Sequence, residues 1–153
     1  MIDYPLLNVQ VESLLEESNK IAALANVSAC INETLDNINW IGFYFLQNNE
    51  LILGPFQGKV ACTHIPLNKG VCGKAASYKQ TQVVKNVHEF DGHIACDSAS
   101  ESELVVPIIV NDTVVAVLDI DSPTLYRFND NDAKEFKNIC TLISNAYLKF
   151  NWK

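Results

Sequence analysis

The hydrophobic period changes near residue 39, and this change constrains the fold more than any other feature of the sequence. Before it, apolar residues recur at steps of three and four, as in amphipathic helices. After it, the segment NWIGFYFL alternates with a period of two, as a strand does. Trp40, Gly42 and Tyr44 share one strand face, and Ile41, Phe43 and Phe45 share the other. A helical start followed by alternating strands predicts an α+β domain.

Turn signals divide the remaining chain into elements. Asn48-Asn49 and Asn111-Asp112 are each flanked by apolar strand patterns and predict two hairpins. A break between two N-terminal helices is expected at Asn26–Ser28. The segment KVACTHIPL predicts a strand that contains Cys62 and ends near Pro66. With a C-terminal amphipathic helix capped by Asn129 or Asp130, these elements predict one domain over residues 1–153, an antiparallel sheet covered by N- and C-terminal helices.

The acidic residues are distributed unevenly. The net charge is −7, which argues against nucleic acid as a partner. Between Lys85 and Arg127, 41 residues contain eight acids and no Lys or Arg. This stretch is either a solvated acidic face or the wall of a pocket for a cationic group, and the charge count does not decide between the two.

Three of the acids are expected to converge. Asp119 and Asp121 lie two apart in the strand TVVAVLDID and therefore point to one face. A hairpin turning at 111–112 would bring residues 103–105, including Glu103, opposite residues 118–121. Repulsion between neighbouring carboxylates would raise the pKa of one of them, so that it holds a proton near neutral pH. The alternative is that residues 119–121 are only a polar strand end.

Trp40 and Tyr44 flank Gly42 on one strand face. The absent side chain at Gly42 would leave a recess walled by two aromatic rings, sized for a methyl or thioether group. Ordinary core aromatics would show the same pattern.

The chain has five cysteines and no C-x-x-C pair. Cys96 lies in a long polar connection, 85–102, of a length that is usually functional or disordered. Cys72 follows Gly70 at a predicted helix N-terminus, where backbone N–H groups could stabilise a thiolate. Cys30 and Cys140 occupy apolar helical stripes and are expected to be inert. A zinc site from Cys62-x-His64 and His93-x-x-Cys96 is a weak alternative, because it lacks the tight paired spacing of structural zinc sites.

Several segments together resemble one family. NWIGFYF, ACTHIPLNKGVCG, HEFDGHIACDSASESELVVPIIV and VLDIDS are similar to the free methionine-(R)-sulfoxide reductases, which are single-domain proteins of the GAF fold. The similarity runs from about residue 38 to 128. Ser98 departs from it, since alanine is expected there.

The resemblance implies a mechanism and a set of roles. Cys96 would attack the sulfoxide sulfur and become a sulfenic acid, which Cys72 or Cys62 would convert to a disulfide for thioredoxin to reduce. Glu103, Asp119 and Asp121 would bind the substrate and polarise its S=O bond, with Trp40 and Tyr44 around its methyl group. No cofactor and no metal are expected.

The remaining expectations concern location and rival functions. The N-terminus lacks a basic signal-peptide region and no apolar run could span a bilayer, so a cytoplasmic protein is predicted; its relatives suggest a homodimer. A ligand-binding GAF sensor and a thiol redox switch that turns over no substrate are the rival functions.

Overall fold

The computed structural model describes residues 1–92 and 98–153. Four helices and six strands make up most of the described chain. The helices are α1 (Tyr4–Leu14), α2 (Lys20–Thr34), α3 (Gly70–Tyr78) and α4 (Asp130–Phe150). The strands are β1 (Trp40–Gln47), β2 (Glu50–Gly58), β3 (His64–Pro66), β4 (Gln82–Val84), β5 (Ser102–Val110) and β6 (Thr113–Ser122), and Val87–Glu89 form a 3₁₀ turn.

The strands form one antiparallel sheet in the order β3-β2-β1-β6-β5-β4. Two tight hairpins join its central strands, β1 to β2 and β5 to β6. Their turn residues adopt positive φ angles, 50° and 61° at Asn48 and Asn49, and 50° and 63° at Asn111 and Asp112. Asn and Asp tolerate this conformation better than most residues, and two such residues match the right-handed twist of a hairpin. Both predicted hairpins are confirmed.

The two faces of the sheet pack against different helices. α1, α2 and α4 cover one face, where Phe43, Leu118 and Ile120 of the sheet are fully buried. The short helix α3 contacts the opposite face through β5 and β6. This second face carries Trp40 and Tyr44. The predicted α+β fold, an antiparallel sheet covered by N- and C-terminal helices, is confirmed.

Side-chain caps mark where α2 and α4 begin. The side chain of Asn129 accepts a hydrogen bond from the backbone N–H of Asp132, whose carboxylate accepts one from the Asn129 backbone, so this capping box starts α4 as predicted. The predicted helix break at Asn26–Ser28 is wrong. Asn19 caps α2 instead, and the Ser28 hydroxyl donates to the Leu24 carbonyl within the continuous helix.

Two strand predictions need correction. β3 has only three residues, so Cys62 lies just before it and not within a strand. Leu53 extends the contact by one backbone hydrogen bond to the Thr63 carbonyl, at 3.0 Å. β4 was not predicted, because three residues are too few to show a periodic pattern. No helix in the described ranges is long and apolar enough to cross a membrane.

Candidate active site

Strand register brings the three acids to one face of the sheet. Glu103 of β5 pairs with Asp121 of β6, and Val105 pairs with Asp119, as the hairpin geometry predicted. On the other side of β6, Gly42 of β1 pairs with Asp119. The acids therefore lie on the adjacent hydrogen-bonded strands β5 and β6, whose register fixes their positions.

Glu103 and Asp119 form a buried carboxyl pair. Each residue is only 6% exposed, and one oxygen from each carboxyl group lies within 4.8 Å of the other. Burial raises the pKa of both groups well above their usual range, and the neighbouring negative charge raises it further. Asp121 supplies that charge to Glu103, and Glu103 supplies it to Asp119. Raised pKa values favour the protonated form, so one member of such a pair can act as a hydrogen-bond donor as well as an acceptor.

Cys72 completes this cluster from the other side. It is the third residue of α3, 4% exposed, and a free thiol. Its sulfur and one oxygen from each of Glu103 and Asp119 lie within 4.8 Å of one another, a grouping that could hold a metal ion. Burial, followed by the charges of Asp119 and Glu103, raises the pKa of this thiol well above its ordinary value. The expectation that the helix N-terminus stabilises a thiolate at Cys72 is therefore wrong.

Aromatic rings stand beside the acids on the same face. The rings of Trp40 and Tyr44 are stacked, with centroids 5.8 Å apart. Hydrogen bonds fix both side chains, since Trp40 Nε1 donates to the Lys59 carbonyl at 3.2 Å and the Tyr44 hydroxyl donates to the Cys62 carbonyl at 3.0 Å. Both aromatic residues are buried where the sequence placed them.

The recess expected over Gly42 is occupied. A Cβ atom at this position would lie 2.4 Å from the Phe56 Cβ and 2.7 Å from the edge of the Trp40 ring. Gly42 therefore lets the indole lie flat across β1, which is a different role from leaving an open hollow. Phe56 stacks on Trp40 with centroids 5.2 Å apart. Trp40, Tyr44 and Phe56 together form what we call the aromatic wall. The sequence reasoning missed Phe56, although pairing β2 with β1 across the Asn48-Asn49 turn could have placed it.

Cys62 differs from Cys72 in its bonding state. Cys62 takes part in a disulfide, whereas Cys30, Cys72 and Cys140 are free thiols. His64, which the zinc alternative paired with Cys62, is exposed and lies 3.1 Å from the Glu50 carboxylate. Cys96, like His93 of the same alternative, lies outside the described residues.

The residues that flank 93–97 are held by hydrogen bonds on both sides. The Gly70 N–H at the start of α3 donates to the Gly92 carbonyl, at 3.1 Å. On the far side, the Asn39 amide donates to the Ser100 hydroxyl, also at 3.1 Å. Gly92 thus lies beside the start of α3, and Ser100 lies beside the residue that precedes β1.

The fold and the site can now be compared with known families. The family model described as GAF domain matches residues 24–147. The fold and the matched range define the chain as a GAF domain.

Relatives narrow this class. The chain is 44% identical to free methionine-R-sulfoxide reductase of Escherichia coli, over 98% of this chain and 92% of that protein. It is 46% identical to the Saccharomyces cerevisiae protein of the same name, over 84% of this chain and 76% of that protein. The chain belongs to the free methionine-(R)-sulfoxide reductase family of GAF-domain proteins.

Solved structures agree with this assignment. The reduced form of fRMsr of Staphylococcus aureus superposes with a TM-score of 0.92 at 54% identity, over 95% of this chain and 96% of that one. Free methionine-R-sulfoxide reductase from Neisseria meningitidis, in complex with its substrate, gives a TM-score of 0.94 at 37% identity, over 97% and 90% of the two chains.

Proposed function

We propose that this protein is an oxidoreductase that reduces free methionine-(R)-sulfoxide to methionine. The observation that carries the proposal is the buried carboxyl pair Glu103–Asp119 beside the stacked rings of Trp40 and Tyr44. Membership of the family supports it, as do relatives of this name in two organisms and a substrate complex of one more.

The acids suit the oxygen of the sulfoxide, and the aromatic rings suit its methyl group. A sulfoxide oxygen leaves poorly unless it is polarised or protonated. The proton held by Glu103 and Asp119 is available to that oxygen, and half-buried Asp121 adds negative charge for the substrate ammonium. The rings of Trp40 and Tyr44 offer an apolar surface to the methyl group of the sulfoxide.

Cys96 is proposed as the nucleophile. Its thiol takes the oxygen of the sulfoxide, so that the thiol becomes a sulfenic acid and the sulfoxide becomes the thioether methionine. A second thiol then attacks the sulfenic sulfur, forming a disulfide and releasing water. Thioredoxin, oxidised to its own disulfide in the exchange, would restore both thiols.

The bonding state of the cysteines supports Cys62 as the second thiol. Among the cysteines within residues 1–92 and 98–153, Cys62 is the one that takes part in a disulfide, and its carbonyl accepts a hydrogen bond from the Tyr44 hydroxyl. Cys72 is a buried thiol with a raised pKa, which makes it a poor attacking group. We therefore assign Cys62 to resolution and Cys72 to holding the carboxyl pair, through its interaction with Asp119.

A coupled assay tests the proposed activity. Purified protein with thioredoxin, thioredoxin reductase and NADPH should oxidise NADPH when given free methionine-(R)-sulfoxide. Rates should be small with N-acetylated methionine sulfoxide, because the acids would lose the ammonium that they complement. Rates should also be small with the S-epimer, because its sulfoxide oxygen and methyl group exchange places. Absence of turnover with the free R-epimer would contradict the enzyme reading and favour a sensor or a redox switch.

Cysteine variants separate the steps. Cys96→Ser should release no methionine even in a single turnover. Cys62→Ser should complete one turnover and then stop, whereas Cys72→Ser should still cycle with thioredoxin, with Cys30→Ser as the matched control. Stoichiometric methionine from Cys96→Ser would overturn the nucleophile assignment, and cycling by Cys62→Ser would overturn the resolving one.

The burial of α1 bears on the extent of the domain. The family match begins at residue 24, yet Leu7 and Val11 of α1 are fully buried in the core, which supports one domain over residues 1–153. A cytoplasmic location and a homodimer stay predictions; light scattering of the purified protein checks the second.

A further inference from the structure

The cluster of Cys72, Glu103 and Asp119 has the geometry of a metal site. Its three donor atoms come from α3, β5 and β6 and lie within 4.8 Å of one another. With metal–ligand bonds of about 2.0–2.3 Å, two donors on a tetrahedral ion lie about 3.3–3.8 Å apart. The three atoms can therefore meet on a single ion with small side-chain adjustments, and all three residues are more than nine-tenths buried.

A separate observation points to an unfilled ligand position. Asp119 Oδ1 is fully buried and accepts no hydrogen bond from any residue within 1–92 or 98–153. Buried polar atoms are nearly always satisfied by protein, water or a bound ion, so this oxygen has an open place in its surroundings. The carboxylate that carries it is already a member of the cluster.

We propose that Cys72, Glu103 and Asp119 bind a borderline divalent transition ion such as Zn²⁺, as a reversible inhibitory site. One sulfur and two carboxylate oxygens form a ligand set that Zn²⁺ accepts, with the fourth tetrahedral position left for water. Mg²⁺ and Ca²⁺ bind oxygen ligands in larger numbers and are disfavoured by sulfur. Coordination forms one metal–sulfur and two metal–oxygen bonds, and it releases to solvent the Cys72 thiol proton and the proton held by Glu103 and Asp119.

The inhibitory consequence rests on the proposed reductase function. The carboxyl pair that would donate a hydrogen bond to the sulfoxide oxygen would instead hold the ion. Metal and substrate would therefore exclude each other. Metal binding itself does not depend on that function, so the two ideas can fail separately.

Cobalt binding tests the site directly. Fully reduced protein titrated with Co²⁺ should show a near-ultraviolet thiolate-to-cobalt charge-transfer band. The band should persist in Cys62→Ser, Cys96→Ser and Cys30→Ser and disappear in Cys72→Ala, with circular dichroism checking that each variant is folded. Asp119→Asn retains the thiol and should weaken Co²⁺ binding at least tenfold, which tests the site even if Cys72→Ala does not fold.

Two results would overturn the proposal. One is the absence of the band in the reduced protein, and the other is a band that survives in Cys72→Ala but is lost in Cys96→Ser or Cys62→Ser. In the activity assay, Zn²⁺ should raise the apparent KM for the sulfoxide without lowering kcat. Zn²⁺ binding without such competition would leave the metal site standing and contradict its inhibitory role.

Discussion

The two faces of the central sheet are built from the same strands but have opposite effects on the stability of the fold. Along β6, Leu118 and Ile120 enter the apolar core beneath α1, α2 and α4, while Asp119 and Asp121 enter the face beneath α3. The first face is apolar along most of its length, and Ser102 and Ser122 are its buried polar residues, at the ends of β5 and β6. The second buries a carboxyl pair at a free-energy cost, because burial disfavours ionised groups. The first face therefore stabilises the fold. The second lowers the free energy of unfolding, because it keeps two carboxyl groups buried in the candidate site.

The largest effect is expected from truncation on the apolar face. Phe43→Ala removes a fully buried ring from the core between the sheet and its helices. A loss of about 3–5 kcal/mol in the free energy of unfolding is expected, from the lost transfer energy and the cavity left behind. Urea denaturation measures it. The folded fraction should keep its KM for the sulfoxide, and a raised KM at full folding would contradict the division between the faces.

Two glycines offer a matched comparison of the faces. An added methyl at Gly42 would press on Phe56 and Trp40, and one at Gly54 would press on the ring of Phe45, which belongs to the apolar core. Gly42→Ala and Gly54→Ala should each destabilise the fold by about 1–3 kcal/mol through overpacking. Only Gly42→Ala displaces the aromatic wall, so it alone should raise KM for the sulfoxide.

Steady-state kinetics beside urea denaturation checks this pair. Equal KM values for the two variants would show that the aromatic wall does not contact the substrate. The comparison would then be sharpened by Trp40→Phe, which keeps the ring and removes the bond to the Lys59 carbonyl.

The period-two patterns made much of the strand pairing, and with it the position of the acids, predictable from the sequence. The alternation in β1 and the turn at Asn111-Asp112 together fix which residues face each other, so the meeting of Glu103 with Asp121 followed from counting along the hairpin. The apolar stripe and cap of α4 were also readable, because capping residues and helical spacing are local signals.

What the sequence could not supply is packing between elements distant along the chain. The ring of Trp40 fills the space over Gly42, which depends on the rotamer of one side chain and on Phe56 from a neighbouring strand. The state of Cys72 shows the same difficulty. Its place at a helix start suggested a thiolate, but burial against two carboxyls has the opposite and larger effect. That balance is visible only when α3 is seated on the sheet.

The one stability effect with a stabilising sign is expected at the carboxyl pair. The pKa of Asp119 is raised in the folded protein, so between the ordinary aspartate value near ~4 and the raised value the folded state holds more protons than the unfolded state. The free energy of unfolding therefore falls as pH rises through this window. Asp119→Asn removes the decline and should stabilise the protein at neutral pH by about 1.4 kcal/mol for each unit of pKa shift removed.

The same substitution should slow the reductase step by more than about tenfold, which is ~1.4 kcal/mol of transition-state stabilisation, and Glu103→Gln should do likewise. Urea denaturation across pH, paired with single-turnover release of methionine, measures both effects on one sample. Asp112→Asn, in the exposed hairpin turn, is the control and should change neither quantity. An Asp119→Asn variant that is less stable at neutral pH would mean that the buried carboxyl stabilises the fold. The two faces would then differ in their residues but not in their effect on stability.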